Sequence, residues 1–315
     1  MIGGPVVSLS LKSHLSNCEL CPRRCGVNRG AGAIGFCRAG SEVEVFRYGP
    51  HHGEEPPVTG TRGSGTIFFS RCTLGCIYCQ NYPWSQEGRG VRYGVDGLVK
   101  IFRELAEAGC HNWNLISPTP WLVQVEEALE VVRKEGISLP VVYNTSGFER
   151  VEILEQLQGL VSVYLTDLRY SQSGSAKEGS GSAEYVDVSR AAFKAMWRLA
   201  GPLRFDEHGI AVSGVICRLL IMPGRAGEAI ENLEWLADNV GNNVAVSVMS
   251  QYIPAHKAIS RGAWGRRITR EEYDKVVEAV DRLGFADGWI QEFEESTPGN
   301  LAGFKMKEGF GSSSG

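Results

Sequence analysis

No apolar run in the sequence approaches the roughly 20 residues that span a bilayer, so no transmembrane helix is expected. The opening MIGGPVVSLSLKSHL has neither the basic start nor the long apolar stretch of a secretory signal, which predicts a cytoplasmic protein. Positive charge is not in excess either. With 32 Lys and Arg against 36 Asp and Glu the net charge is −4, which disfavours binding along a nucleic acid. Cysteine, by contrast, is plentiful. Seven of the nine cysteines fall in two tight groups, an odd set expected to stay reduced, and this pattern predicts metal ligation over disulfides.

The 315 residues suit one α/β barrel with a small appendage, and 43% hydrophobic, 22% charged and 39 glycines are proportions of a globular enzyme. From about residue 66 onward, β-rich runs alternate with amphipathic stretches. TIFFS (66–70), NWNLI (112–116), PVVYN (140–144), VSVYLTD (161–167), GVICRLLI (214–221) and NVAVSVM (243–249) predict buried strands. A helix is predicted over DGLVKIFRELAEAG, where Leu98, Ile101, Phe102 and Leu105 share one face and Gly109 ends it. Another should start at a Thr119 cap with Pro120 in first position and run to Gly136, with further helices near 149–158, 184–200 and 226–240. Thr269 and Glu272 form a capping box for one more, over 269–284, packed outside the barrel.

Six such units with right-handed crossovers predict a parallel sheet curled into a partial (β/α)6 barrel, with functional residues in the loops that follow the strands. The expected organisation is an N-terminal cysteine-rich metal-binding segment over 1–60, the barrel over 61–300 and a flexible tail over 301–315. SQSGSAKEGSGSA (171–183) is small and polar, which predicts a mobile loop on the active face, either a candidate lid or a tolerated insertion.

CTLGCIYCQN places Cys72, Cys76 and Cys79 directly after the first predicted barrel strand. A four-iron, four-sulfur cluster has four corners, and three thiolates leave one iron open to a cofactor or substrate. Gly75 lets the loop fold tightly around such a group. A catalytic zinc on three thiolates, or a buried cysteine group without metal, are the alternatives.

C-x3-C-x2-C with an aromatic before the last cysteine resembles the signature of the radical S-adenosylmethionine superfamily. The resemblance implies that Cys72, Cys76 and Cys79 ligate a [4Fe-4S] cluster whose open iron chelates the amino and carboxylate groups of S-adenosyl-L-methionine, with Tyr78 beside the adenine. It also implies that reduction cleaves the sulfonium to methionine and a 5′-deoxyadenosyl radical that abstracts hydrogen. Within the superfamily the chain is similar to the pyruvate formate-lyase activating enzyme group over roughly residues 60 to 255. CIYCQN is close to that group's C-aromatic-CHN, with Gln80 for histidine. TDLRY (166–170) is close to its D-L-K, with Asp167 kept and Arg169 in place of lysine, and RLLIMPG from Arg218 to Gly224 to its R-x-x-x-x-P-G. YNTSGF (143–148) resembles its T-N-G. Where the group has G-G-E after the second strand, this chain has SPTP (117–120), which leaves the carbonyls of Ser117 and Thr119 as candidates for the cofactor amino group. Asn144 and Ser146 are candidates for ribose or carboxylate contacts, or else turn formers, and Asp167, Arg169 and Arg218 complete the expected cofactor-binding set.

CELCPRRCGVNRGAGAIGFC adds Cys18, Cys21, Cys25 and Cys37, a closed four-thiolate set that predicts a structural or electron-transfer role for a second iron–sulfur cluster or a zinc. The segment resembles one found ahead of the barrel in a subgroup of activase-like radical proteins. Arg23, Arg24, Arg29 and Arg38 are expected to offset thiolate charge or to solvate a surface, and a nucleic-acid-binding zinc ribbon is the alternative. Glu54 and Glu55 read as a solvated turn or a contact for a basic substrate group, and His51 and His52 as surface or hydrogen-bonded scaffold, with a ligand role the alternative. Gln251, Tyr252 and His256 are candidates for pocket lining, and Cys110 and Cys217 for packing.

The function that the resemblance implies is an oxidoreductase that makes a radical from S-adenosylmethionine. It would act either on a glycine of a glycyl radical enzyme partner or alone on a peptide or small molecule, driven by an external one-electron reductant such as flavodoxin or ferredoxin. A zinc-binding regulatory or scaffold protein is the reading from another class.

Overall fold

The computed structural model describes residues 10–293, so the expected tail over 301–315 and the ends of both other segments lie outside the described residues. The strands are β1 (Val43–His51), β2 (Ser64–Phe69), β3 (Val91–Tyr93), β4 (Trp113–Ile116), β5 (Val141–Thr145), β6 (Val163–Asp167), β7 (Arg204–Phe205), β8 (Ala211–Leu220), β9 (Ala245–Met249) and β10 (Gly288–Ile290). The α-helices are α1 (Pro56–Thr59), α2 (Tyr82–Ser85), α3 (Val95–Glu107), α4 (Leu122–Lys134), α5 (Val151–Gln156), α6 (Ser173–Ser180), α7 (Tyr185–Ala200), α8 (Ala226–Asn239) and α9 (Arg270–Leu283).

The main sheet runs β10-β9-β8-β6-β5-β4-β2-β1-β3. Its parallel stretch from β2 to β9 comprises the six strands expected from sequence and forms the partial (β/α)6 barrel. A strand between the helices and the barrel interior has no solvent side, and β2 and β5 are buried along their whole length. Each large apolar side chain so buried contributes about 1.5–3 kcal/mol. On α3 the predicted face, Leu98, Ile101, Phe102 and Leu105, is buried, and Gly109 turns the chain away at φ +76°. The capping box of Thr269 and Glu272 starts α9. That helix packs on α8 and returns the chain to β10, a short seventh parallel strand beside β9.

The 43–51 segment also differs from expectation. It adds β1 to the sheet antiparallel to β2, with β3 beyond it, so the N-terminal segment is hydrogen-bonded into the barrel sheet. Pro50 is accommodated because β3 pairs only with Val43–Val45, leaving one side of β1 open near that proline.

Two local expectations fail. Thr119 caps no helix: it opens a 3-10 turn, Thr119–Trp121, ahead of α4, and its hydroxyl donates to Glu149 Oε1 at 2.7 Å. The 171–183 segment is not a mobile loop but the helix α6, ended by Gly181 at φ +77°. Smallness is what orders it. Ala176, Gly179 and Ser180 are buried, and the carbonyls of Gly179 and Ser180 accept the amides of Ile77 and Gly75 at 2.9 and 3.1 Å. The segment straps the cysteine loop in place.

Candidate functional site

The cysteine loop leaves β2 at Arg71, a non-glycine residue held at φ +73° with its guanidinium on Glu44. Backbone strain of this kind persists only where surrounding contacts impose it. Leu74 N–H donates to Cys72 Sγ at 3.4 Å, Arg169 Nη1 to Cys76 Sγ at 3.2 Å, and Cys79 Sγ lies 3.3 Å from Ser85 Oγ. Burial pushes the Cys72 thiol up to about 12 and Cys76 up to about 11, Arg169 pulling the latter back, and raises Cys79 as well. Thiols so dry ionise only when a cation takes the charge. All nine cysteines are free. Among the described residues no three His, Cys, Asp or Glu side chains converge on a single-ion position.

Beside the loop lies a cavity of about 550 Å³ whose wall includes Cys76, Tyr78 and Cys79, with the loops and ends of the parallel strands supplying Ser117, Asn144, Ser146, Asp167, Arg169 and Arg218. Cys72, close enough to Cys76 and Cys79 to feel their charge, is the one member of the trio that does not line it. The Thr119 hydroxyl is buried on Glu149 and Tyr143, and of the two residues whose carbonyls were expected near a cofactor amino group Ser117 lines the cavity and Thr119 does not. Ser117 sits at φ +54° and donates its amide to Asn144 O at 2.8 Å. Asn144 is buried, accepts from Arg218 at 3.5 Å, and leaves Nδ2 without a partner. Ser146 offers its carbonyl to Tyr185 Oη at 2.6 Å.

Tyr78 is clamped from two sides, its hydroxyl 2.7 Å from Tyr170 Oη and its ring stacked on Trp264 at 5.3 Å and 7°. Arg169 spends two donors on Asp167 Oδ2, at 2.9 and 2.6 Å, and the third on Cys76.

Glu54 and Glu55 are not a solvated turn. Both are buried against Arg218, which donates to Glu55 from Nε at 2.7 Å and from Nη2 at 2.6 Å and also contacts Glu54. Burial alone would raise the Glu55 carboxyl, but the charge and hydrogen bonds of Arg218 outweigh it and hold it below the usual carboxylate range. His51, His52, Gln251 and Tyr252 line the cavity, whereas His256 stacks on Tyr82 at 4.6 Å instead. Cys110 and Cys217 are buried packing residues.

The N-terminal thiols of Cys18, Cys21, Cys25 and Cys37 ring a second, small enclosed cavity together with Arg23, Arg29, Phe36 and Thr73. Burial pushes Cys21 up to about 12 and raises Cys37, the latter opposed in part by Arg29. Arg29 itself is 1% exposed, with its donors on Gly40 O and Pro120 O. Gly35 is required here, because a Cβ would lie 2.8 Å from Cys25 Sγ. Arg24 instead makes a surface pair with Glu152 at 3.9 Å.

No protein-family model matches the chain. It is 30% identical over 281 residues to the uncharacterized protein MJ0674 of Methanocaldococcus jannaschii, covering 86% of this chain and 76% of that protein. The chain belongs to that protein's family. Solved structures resemble this family member more distantly. They include native anSMEcpe with bound AdoMet (TM-score 0.46, 10% identity, 68% of this chain and 57% of that one). SuiB of Streptococcus suis bound to precursor peptide SuiA gives a TM-score of 0.46 at 10% identity over 71% of this chain and 47% of its own. HydG, the FeFe-hydrogenase maturase from Carboxydothermus hydrogenoformans, gives 0.46 at 16% identity over 70% of this chain and 50% of its own. This member of the MJ0674 family spans about half the length of those structures.

The residues present fit the groups that the cysteine spacing implies. Both sets offer sulfur alone, the donor chemistry of iron–sulfur clusters and structural zinc. Cys76 and Cys79 border a cavity within the usual size range of small-molecule sites, and Asn144, whose Nδ2 has no partner, lines it too.

Proposed function

We propose that this protein holds a [4Fe-4S] cluster on Cys72, Cys76 and Cys79, binds S-adenosylmethionine in the adjoining cavity, and abstracts hydrogen from its substrate. The observation that carries the reading is the placement of Cys76 and Cys79, with Cys72 next to them, in the wall of a 550 Å³ cavity lined by the loops and ends of parallel strands. Bound there and given one electron, the cofactor pair would supply a carbon-centred radical able to take a hydrogen atom.

The chain's own residues prepare the site. Arg169 steadies the Cys76 sulfur and offsets its charge, while Asp167 fixes the guanidinium. The Ser117 carbonyl and Asn144 Nδ2 would meet polar groups of the cofactor, and Tyr78 would lie along its base. The buried aromatic cluster of Tyr78, Tyr170, Tyr252 and Trp264 keeps water from one side of the cavity. In the finer reading the substrate is a glycine-bearing peptide segment of a partner enzyme. What supports it is the resemblance of the cysteine, TDLRY and RLLIMPG motifs to activating enzymes.

Anaerobic reconstitution with iron and sulfide tests the proposal. The expected result is a cluster whose electron paramagnetic resonance spectrum changes on adding S-adenosylmethionine, and cleavage of that cofactor to methionine and 5′-deoxyadenosine under strong reductant. Cys76→Ala should abolish both. A spectrum indifferent to the cofactor would overturn the reading.

A further inference from the structure

The cavity beside the cysteine loop is closed at its lower end. His51 pairs with Ser64 at the start of β2, so the segment that follows His51 lies at the opposite end of that strand from the cysteine loop. Along a strand alternate side chains share a face, and Asn144, Asp167 and Arg218 point from β5, β6 and β8 into the cavity wall. The residues two positions before them, Val142, Leu165 and Ile216, cluster with Val58 of α1. Val58 is fully buried, and its carbonyl accepts from Asn112 Nδ2 at 2.7 Å. It plugs the barrel from below, which leaves His51, His52 and Glu54 to line the end of the cavity above it.

Charge at that end does not balance, because Glu54 and Glu55 share the one guanidinium of Arg218. Glu55 holds it with both oxygens, whereas Glu54 meets it through Oε2 alone. Glu54 Oε1 accepts no hydrogen bond among the described residues and stays open to the cavity, on a side chain only 7% exposed. No other Arg or Lys pairs with it among them. Arg169 is held by Asp167 and Cys76, and Arg47, whose charge reaches His51, does not line the cavity. Burial holds His51 below the ordinary histidine value, so its ring stays uncharged near neutral pH. A buried carboxylate short of partners is costly unless a ligand completes it.

We propose that Glu54 Oε1 receives a cationic group of the substrate, an ammonium or guanidinium at the end of a slender apolar stem. Phe68, Leu220 and Met249 in the same wall suit such a stem. The inference rests on the function proposed above and adds the chemical class of its substrate: an aliphatic amine or guanidine, either free or as the side chain of a basic residue in a peptide.

The test uses the anaerobic holoenzyme with S-adenosylmethionine present, pentylamine as the cationic probe and pentanol as its neutral match, with binding read by calorimetry. Pentylamine should bind about tenfold or more tighter than pentanol. Glu54→Gln, which keeps an acceptor for Arg218 and removes the charge, should erase that difference. Equal affinities in the wild type overturn the proposal, as does a preference that survives Glu54→Gln. So does a loss of S-adenosylmethionine affinity in the variant as large as its loss for pentylamine, which would assign the carboxylate to the cofactor's sulfonium. Should the variant not fold, the wild-type comparison still decides. N-acetyl-lysine methylamide against free lysine separates the sources: tighter binding of the first supports a basic residue in a peptide, tighter binding of the second a small molecule, and binding of neither overturns the subsite. Failure of the underlying function reads differently: the preference for pentylamine would persist while the cluster spectrum ignores S-adenosylmethionine.

Discussion

Arg169 joins Asp167 to Cys76: two of its donors rest on the carboxylate at 2.9 and 2.6 Å and the third on the sulfur at 3.2 Å. Only a planar fork can serve both partners at once. Arg169→Lys is therefore expected to keep its charge and lose the bridge. Reconstituted protein should hold near-normal iron while 5′-deoxyadenosine formation falls about 10–100-fold, the usual cost of losing a partner that orients a ligand.

Arg218 faces two buried carboxylates. Arg218→Ala strands both of them in the barrel, and breaking a buried pair from one side costs about 3–5 kcal/mol. Denaturant unfolding should show that loss, and Glu54→Gln, which leaves Arg218 and Glu55 paired, should cost much less.

Glu149 is buried with hydroxyl donors from Thr119 and Thr145 on Oε1 and none on Oε2. Burial outweighs those hydrogen bonds and pushes its carboxyl from the ordinary 4.5 up to about 7. The folded protein then holds a proton that the unfolded chain has released. This contribution is complete below about pH 4.5, declines as pH rises, and is gone above about pH 7. Glu149→Gln stays neutral throughout. It should lack the decline and exceed wild type above neutral pH by up to ~3 kcal/mol in unfolding free energy, at 1.36 kcal/mol per pKa unit.

Gly179→Ala tests the strap. A Cβ there would meet Tyr170 Oη at 2.4 Å and Trp264 Cη2 at 2.8 Å, with no room for the ring system to give. The substitution should shift α6 from the cysteine loop, break the Ile77 amide bond to residue 179, and lower the iron retained per chain after gel filtration.

Cysteine spacing and strand periodicity made the trio, its loop and the six parallel strands legible before any coordinates, because both signals are local. The misses are all tertiary. Glu54 and Glu55 look like a polar turn until Arg218, distant in sequence, closes on them. The small residues of 173–180 look like a loop because their low hydrophobicity hides the narrow gap that demands them. Thr119 reads as a cap because Thr-Pro usually is one, but a buried acid took its hydroxyl.

The main sheet ends in β3 on one side and β10 on the other, each three residues long. A barrel left open to admit a partner normally exposes unpaired backbone along its rims, an invitation to self-association. Here β3 and β10 themselves offer few free amides and carbonyls to template another chain, Arg92 on β3 places a charge on one rim, and Pro50, which has no amide hydrogen, interrupts the stretch of β1 that β3 leaves uncovered. Keeping the rims short lets the barrel stay open without seeding fibres.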